Sequence, residues 1–185
     1  MLQKFRHIHV LGGSGSGTTT LARNLCKDFG HLHLDTDDYF WEKTDPPFTT
    51  IRPVPERLAQ LRYKFQDHEK WILSGSLVGW GDVFIPEFDL VIFLTLPHEV
   101  RMQRLKDREI SRYGLEAISE GGHLHEAHQK FMDWAAQYDT ADETMRSLKL
   151  HQNWLKQFKV PVVHLSGLLS YPEQLKSIGQ QLTQS

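Results

Sequence analysis

The stretch FRHIHVLGGSGSGTTTLARNLCKDF, residues 5–29, decides how this chain folds. Its centre, Gly12-Gly13-Ser14-Gly15-Ser16-Gly17-Thr18-Thr19, has the length and glycine placement of the phosphate-binding P-loop pattern G-x-x-x-x-G-K-[ST], with Thr18 where the pattern has lysine. Residues 5–11 before it read as a short strand, with Ile8 and Val10 on one face and Phe5, His7 and Leu11 towards the other. Residues 18–29 after it read as a helix with Leu21, Leu25 and Phe29 on one stripe. Strand, glycine loop and helix in that order turn successive backbone N–H groups onto a phosphate at the helix N-terminus, where the macrodipole favours negative charge. Gly12 to Thr19 are therefore the candidate triphosphate-binding residues. The Thr19 hydroxyl is placed for the Mg²⁺ that accompanies a nucleoside triphosphate. A flexible glycine–serine linker would not lie between an apolar strand and an amphipathic helix.

Outward from this unit, strands and helices alternate. Residues 31–34 read as a second strand running into Asp35-Thr36-Asp37-Asp38-Tyr39-Phe40-Trp41, and a proline-rich connection leads to a helix over 56–67. WIL, 71–73, is a third strand, and FDLVIFLTL, 88–96, is an apolar run suited to a strand buried on both faces. Pro97 opens a charged helix reaching about residue 113; helices are expected over 124–137 and 142–158, a fifth strand over 160–165 and a closing helix over 172–182. The pattern predicts one α/β domain over residues 1–185, a mostly parallel sheet with helices on both faces. Residues 109–140 have no strand partner and are expected to form a mobile lid.

The bulk composition narrows the class. With 21 basic and 23 acidic residues in 185, the net charge of −2 and the lack of a long basic run argue against a nucleic-acid-binding surface. The one cysteine, Cys26, has no partner for an internal disulfide and suits a reducing compartment. No segment approaches the roughly 18 apolar residues that a membrane-crossing helix needs, and no signal-peptide pattern opens the chain, so a cytoplasmic protein is expected. Of the 11 histidines, the His7/His9 and His31/His33 pairs and the His123, His125, His128 cluster lack the cysteine or carboxylate spacing of a zinc site.

In a sheet of this kind a ligand lies beyond the carboxyl ends of the strands. The acids concentrate at one of them, Asp35, Asp37 and Asp38. The strand FDLVIFLTL carries Asp89 at its opposite end, and WIL stops at Ser74-Gly75-Ser76 without an acid. A nucleotide–Mg²⁺ site needs a carboxylate for the metal's hydration shell or as a base for the attacking hydroxyl, which the cluster must supply. Asp37 is the first candidate for base or metal ligand, with Asp38 and Asp35 behind it. Arg101, Arg104, Arg108 and Arg112 recur at helical spacing before the lid. Arg104 and Arg108 are the candidates for positive charge on the transferring group, followed by Arg101 and Arg112, with Arg146 a weaker one. Tyr39, Phe40, Trp41, Arg52 and Trp80 are candidates to line a pocket for a planar acceptor. Asp38 and Arg112 join Tyr39, Arg52 and Trp80 as candidate acceptor-binding residues.

The glycine loop, Asp37-Asp38-Tyr39-Phe40 after the second strand, and Arg104-Leu105-Lys106-Asp107-Arg108 before a lid resemble, in order, the motifs of the P-loop nucleoside and nucleotide kinases, the adenylate kinase and uridine kinase group. The stretch through Trp41 also resembles uncharacterised adenylate-kinase-like bacterial ATPases. The resemblance implies a three-layer P-loop NTPase fold with a five-stranded parallel sheet of order 2-3-1-4-5, ATP with Mg²⁺ as donor, a closing helical lid, and Ser166-Gly167 near the adenine. It implies a phosphotransferase acting on a small-molecule nucleoside or nucleotide. In that group the loop lysine bridges the β- and γ-phosphates; here Thr18 replaces it, as in a Gly-Ser-Gly-Thr-Thr-Thr variant resembling some archaeal-type cytidylate kinases. The threonine leaves open a second reading, a nucleotide-binding sensor or slow NTPase without acceptor phosphorylation.

Overall fold

The computed structural model describes residues 2–184. Strands β1 (His7–Gly12), β2 (Leu32–Asp35), β3 (Trp71–Ser74), β4 (Leu90–Thr95) and β5 (Val162–Ser166) form one parallel sheet in the order β2-β3-β1-β4-β5. Parallel strands require crossovers, and the helices of those crossovers cover both faces. Period-two alternation in β1 sorts its side chains between two cores. Ile8 and Val10 join Ile72, Ile92 and Leu165 beneath Leu21 and Leu25 of α1 (Thr18–Phe29) and Ile178 of α8 (Tyr171–Gln184). Leu11 joins Leu73, Val91 and Phe93 beneath Leu61 and Phe65 of α3 (Val54–Asp67) and Trp154 of α7 (Leu148–Leu155). The result is the three-layer P-loop NTPase fold expected from the sequence. Phe5 differs from its expected face: it lies before the strand and packs with Ile8.

The acids divide between the two edges of the sheet. Asp89 accepts hydrogen bonds from the backbone N–H of Arg6 (2.7 Å) and His7 (3.1 Å), which closes the edge away from the glycine loop. Asp35 lies at the other edge and caps α2 (Thr36–Phe40), accepting from the Asp37 N–H at 3.1 Å. The sequence pattern assigns no element to this one-turn helix, which follows the second strand directly.

After β4, α4 (His98–Tyr113) rises with Pro97 as its N-cap. Of residues 109–140, the segment expected as a mobile lid, 109–113 are the last turn of α4, and the rest contain α5 (Leu115–Ile118), α6 (His125–Ala136) and a 3₁₀ turn at Gln137–Asp139, folded back against α4. The helix expected over 142–158 starts later, at Leu148. The Ser147 hydroxyl accepts from the Leu150 N–H at 3.1 Å and donates to the Asp142 carbonyl, so a serine cap sets the start.

Candidate active site

The glycine loop connects β1 to the N-terminus of α1. Gly17, the N-cap of that helix, has φ +100°, a left-handed conformation that disfavours any side chain. The loop rests against α4 through Arg101, which is only 1% exposed. Arg101 Nη1 donates to the Ser14 carbonyl at 3.3 Å and Nη2 to Asp139 Oδ2 at 2.7 Å, and its guanidinium lies 5.0 Å from the Tyr138 ring centre. Tyr138 backs directly onto Gly13. Its hydroxyl meets His151 Nδ1 at 2.8 Å, and His151 Nε2 meets Ser76 Oγ at 2.9 Å, forming a buried polar chain under the loop. Burial lowers the His151 pKa to about 3, with Arg146 and His9 contributing in the same direction.

The carboxylate beside the loop is Asp35. Thr19 Oγ1 and Ser74 Oγ each donate to Asp35 Oδ2 at 2.9 Å, and His33 Nε2 approaches Ser74 Oγ at 2.9 Å. A hydroxyl and a carboxylate so joined form the oxygen-rich edge that suits Mg²⁺, a hard ion that keeps several of its waters. Among the described residues, no group of three or more His, Cys, Asp or Glu is arranged to hold a metal. Thr19 and Asp35 supply two oxygens, a donor set that fits Mg²⁺ with the rest of its shell taken from water and a ligand. Asp37 is the first candidate from the sequence for base or metal ligand, whereas the carboxylate bonded to Thr19 is that of Asp35.

Two adjoining cavities open from this edge. The first, of about 730 Å³, is lined by Gly15 to Thr19, Asp35, Asp37, Asp38, Arg104, Arg108 and Gly167 among others. Arg104 Nη2 donates to the Gly167 carbonyl at 3.1 Å, so the arginine spans α4 and the loop after β5. The second, of about 560 Å³, is walled by Phe40, Trp41, Phe48, Phe131 and Trp134 and reached by Arg146. Asp37, Phe48, Arg108 and Arg112 line both. Phe48, at φ +63°, forms part of the wall between them, with the Arg112 guanidinium 4.9 Å from its ring centre.

Asp37 thus faces a group of arginines. Solvent in the cleft reaches its carboxylate, yet the surrounding protein withdraws part of its hydration. That desolvation raises the Asp37 pKa, Asp35 adds to the rise, and Arg146, Arg108 and Arg112 oppose it. A carboxylate whose pKa is raised is a stronger base towards a hydroxyl proton.

Three candidates from the sequence lie elsewhere. Trp80 is a core side chain, 8% exposed, with its indole N–H donating to the Ser76 carbonyl at 3.1 Å. Arg52 is consumed by the end of α2: Nη1 donates to the carbonyls of Asp38 (3.0 Å) and Tyr39 (2.7 Å), and Nε pairs with Glu42 at 3.3 Å. A cation on the last carbonyls of a helix is a capping arrangement, so it offers no free anion site. Tyr39 packs with Trp80 in the core, on the far side of α2 from both cavities. Within the loop itself, Gly15 to Thr19 line the first cavity and Ser14 the second, while Gly12 and Gly13 lie behind it, against Leu94 and Tyr138. Sequence reading missed Phe48, Phe131 and Trp134. Their only sequence signal was aromatic content in segments taken for a connection and a lid.

A family model described as an AAA domain matches residues 8–125, from β1 through the glycine loop, the aspartates and the arginines of α4 to the first residue of α6. The chain belongs to the AAA-domain family. Cytidylate kinases are among the relatives of this AAA-domain protein. It is 42% identical to an uncharacterised Bacillus subtilis protein, YqaC, over 94% of this chain and 95% of that one. It is 30% identical to the cytidylate kinase of Thermococcus sibiricus, over 59% of this chain and 60% of that enzyme. A shikimate kinase from Bacteroides thetaiotaomicron shares the fold, with a TM-score of 0.53, 16% identity, and coverage of 98% and 99% of the two chains.

Proposed function

We propose that this protein is a small-molecule kinase that uses ATP with Mg²⁺ and transfers the γ-phosphoryl group to a nucleoside or nucleotide. The observation that carries the reading is the pair of adjoining cavities, one polar and lined by the glycine loop, the other aromatic, with Asp37, Arg108 and Arg112 shared between them. Phosphoryl transfer is catalysed mainly by positioning and charge, and a junction of this kind serves both.

In this reading the backbone N–H groups of the loop hold the triphosphate, and the Thr19 hydroxyl and Asp35 hold the water shell of its Mg²⁺. The nucleotide supplies the phosphoryl group. Asp37 orients the acceptor hydroxyl and takes its proton as the new O–P bond forms, while the bond from the γ-phosphorus to the β–γ bridging oxygen breaks and ADP leaves. Arg104 and Arg108 carry positive charge to the phosphate side, standing in for the cation that Thr18 removes. Residues 109–140 close the second cavity over the acceptor and exclude water, which would otherwise compete for the phosphoryl group. The cytidylate kinase relative supports a nucleotide acceptor, and the aromatic walls support any planar one.

The test is Asp37→Ala and Asp37→Asn, each measured for turnover against a panel of nucleosides and nucleotides. A positioned general base contributes on the order of 10²-fold or more, so turnover falls by at least that much while calorimetric binding of ATP–Mg²⁺ is retained. Full activity in either variant removes Asp37 from the reaction. ATP–Mg²⁺ binding by the wild type without any phosphorylated product removes the kinase reading itself.

A further inference from the structure

The second cavity holds two polar groups that phosphoryl transfer leaves unused. Glu109, near the end of α4, is only 6% exposed, yet its carboxylate makes no side-chain hydrogen bond among the described residues. Its two oxygens stand 3.8 Å from Arg108 Nε and 3.7 Å from Nδ1 of His128 on α6, both beyond hydrogen-bond length. That same His128 Nδ1 is buried with no hydrogen-bond partner. A buried imidazole nitrogen without a partner is costly in a folded chain unless something completes it, and the Glu109 carboxylate beside it has only these two long ion-pair contacts. Both residues line the cavity whose walls are Trp41, Phe48, Phe131 and Trp134.

The chemistry of the pair defines what completes it. A carboxylate only accepts hydrogen bonds, so the ligand edge facing Glu109 must donate. Imidazole Nδ1 donates or accepts according to its tautomer and so fits the neighbouring atom of the same edge. Aromatic walls favour a flat, stackable body. We infer that Glu109 and His128 read the edge of the acceptor ring and select a heteroaromatic acceptor bearing an amino group, an inference that rests on the second cavity being the acceptor site. A ring with a carbonyl at that position would place oxygen against carboxylate oxygen and leave both unpaired. Arg108 pairs with Glu109 only at 3.8 Å, with its side chain 42% exposed at the junction with the first cavity, so the carboxylate keeps acceptor capacity for a ligand.

The experiment compares matched acceptors, as nucleosides and 5′-monophosphates, that differ by amino or carbonyl at one ring position: cytosine against uracil, and adenine against hypoxanthine. With ATP–Mg²⁺ saturating, the wild type should favour the amino member of at least one pair by tenfold or more in kcat/KM. Glu109→Gln keeps the shape but presents a donor as well as an acceptor. It should erase most of that preference through KM for the acceptor, with KM for ATP unchanged. His128→Leu, which leaves the carboxylate in place, should weaken the amino-bearing acceptor several-fold and serves if the first variant does not fold. A wild-type preference for the carbonyl members overturns the inference, as does an unchanged ratio in Glu109→Gln. Those results leave the kinase reading standing. A wild type that phosphorylates neither member of any pair overturns the kinase reading and this inference together.

Discussion

Gly13 shows why the loop is built from glycine at a position that needs no unusual backbone. A methyl group there would come within 2.7–3.0 Å of three carbons of the Tyr138 ring. The ring has no room to yield, because its hydroxyl is tied to the buried His151 and the Arg101 guanidinium lies over its face. Gly13→Ala should therefore cost about 1–3 kcal/mol of stability, the usual toll of overpacking, and also weaken ATP–Mg²⁺ binding. Urea unfolding and calorimetry on the same sample test both effects. An alanine variant as stable as the wild type would show that the loop stands clear of Tyr138 in solution. Asp35 and Asp37 illustrate what residue-level reading misses. Both are acids at one strand end, and their chemistry differs because Asp35 points back to the Thr19 hydroxyl while Asp37 faces Arg146, Arg108 and Arg112.

At the scale of elements, α4 is the part that joins the site together. One of its faces presents Arg104, Arg108 and Arg112 to the cavities. Another buries Arg101 between the Ser14 carbonyl and Asp139, fastening the loop to the turn that follows α6. The sequence shows four arginines at helical spacing and cannot tell the buried one from those lining the cavities. Arg101→Met keeps the stem packed but removes both hydrogen bonds. Losing a buried bond to a charged group costs about 1.5–3 kcal/mol, and Ser14 should loosen with it. The expected outcome is a lower Tm and a several-fold weaker Kd for ATP–Mg²⁺. Unchanged binding with lowered stability would mean that the clamp holds α4 without shaping the loop. Arg101→Lys should not restore the wild type, since one ammonium cannot reproduce the two-sided fork.

Across the whole molecule, two buried histidines make stability sensitive to acid. His9 stacks on Phe88 at 4.8 Å between ring centres and is fully buried, and its pKa is lowered to about 4 by burial, partly offset by the bond to the Leu73 carbonyl. His151 is lowered to about 3. Their unfolded pKa is near the ordinary 6.5, so below that pH the unfolded chain binds protons that the folded one refuses. Stability is complete above about pH 6.5 and falls as the pH drops towards 4, by at most ~1.4 kcal/mol per pH unit for each histidine. Urea titrations at pH 7 and pH 5 measure the loss. His9 Nε2 has no partner, so His9→Phe should be well tolerated at pH 7 and should reduce the acid loss. An identical pH dependence in that variant would place the effect elsewhere.

The fold was legible wherever a local pattern sufficed. Alternation in β1, the apolar run of β4 and the leucine stripe of α1 each announce an element from a few neighbouring side chains, and short parallel strands between helices leave few ways to assemble. Local patterning failed at α2, whose single turn has no period to read, and at α7, where the Ser147 cap overrides the amphipathic run before it. It failed again at Trp80 and Arg52, whose residue types suit a pocket while their positions belong to the core and to a helix end. The sequence by itself determined the P-loop, the sheet and the supply of acids and arginines at one edge, because these follow from spacing along the chain. Only the tertiary structure decided which aspartate meets Thr19, which arginine is buried, and that Phe48, Phe131 and Trp134 share one cavity with Glu109 and His128. Those juxtapositions join residues far apart in sequence, and burial and charge at such contacts arise only when the crossovers close.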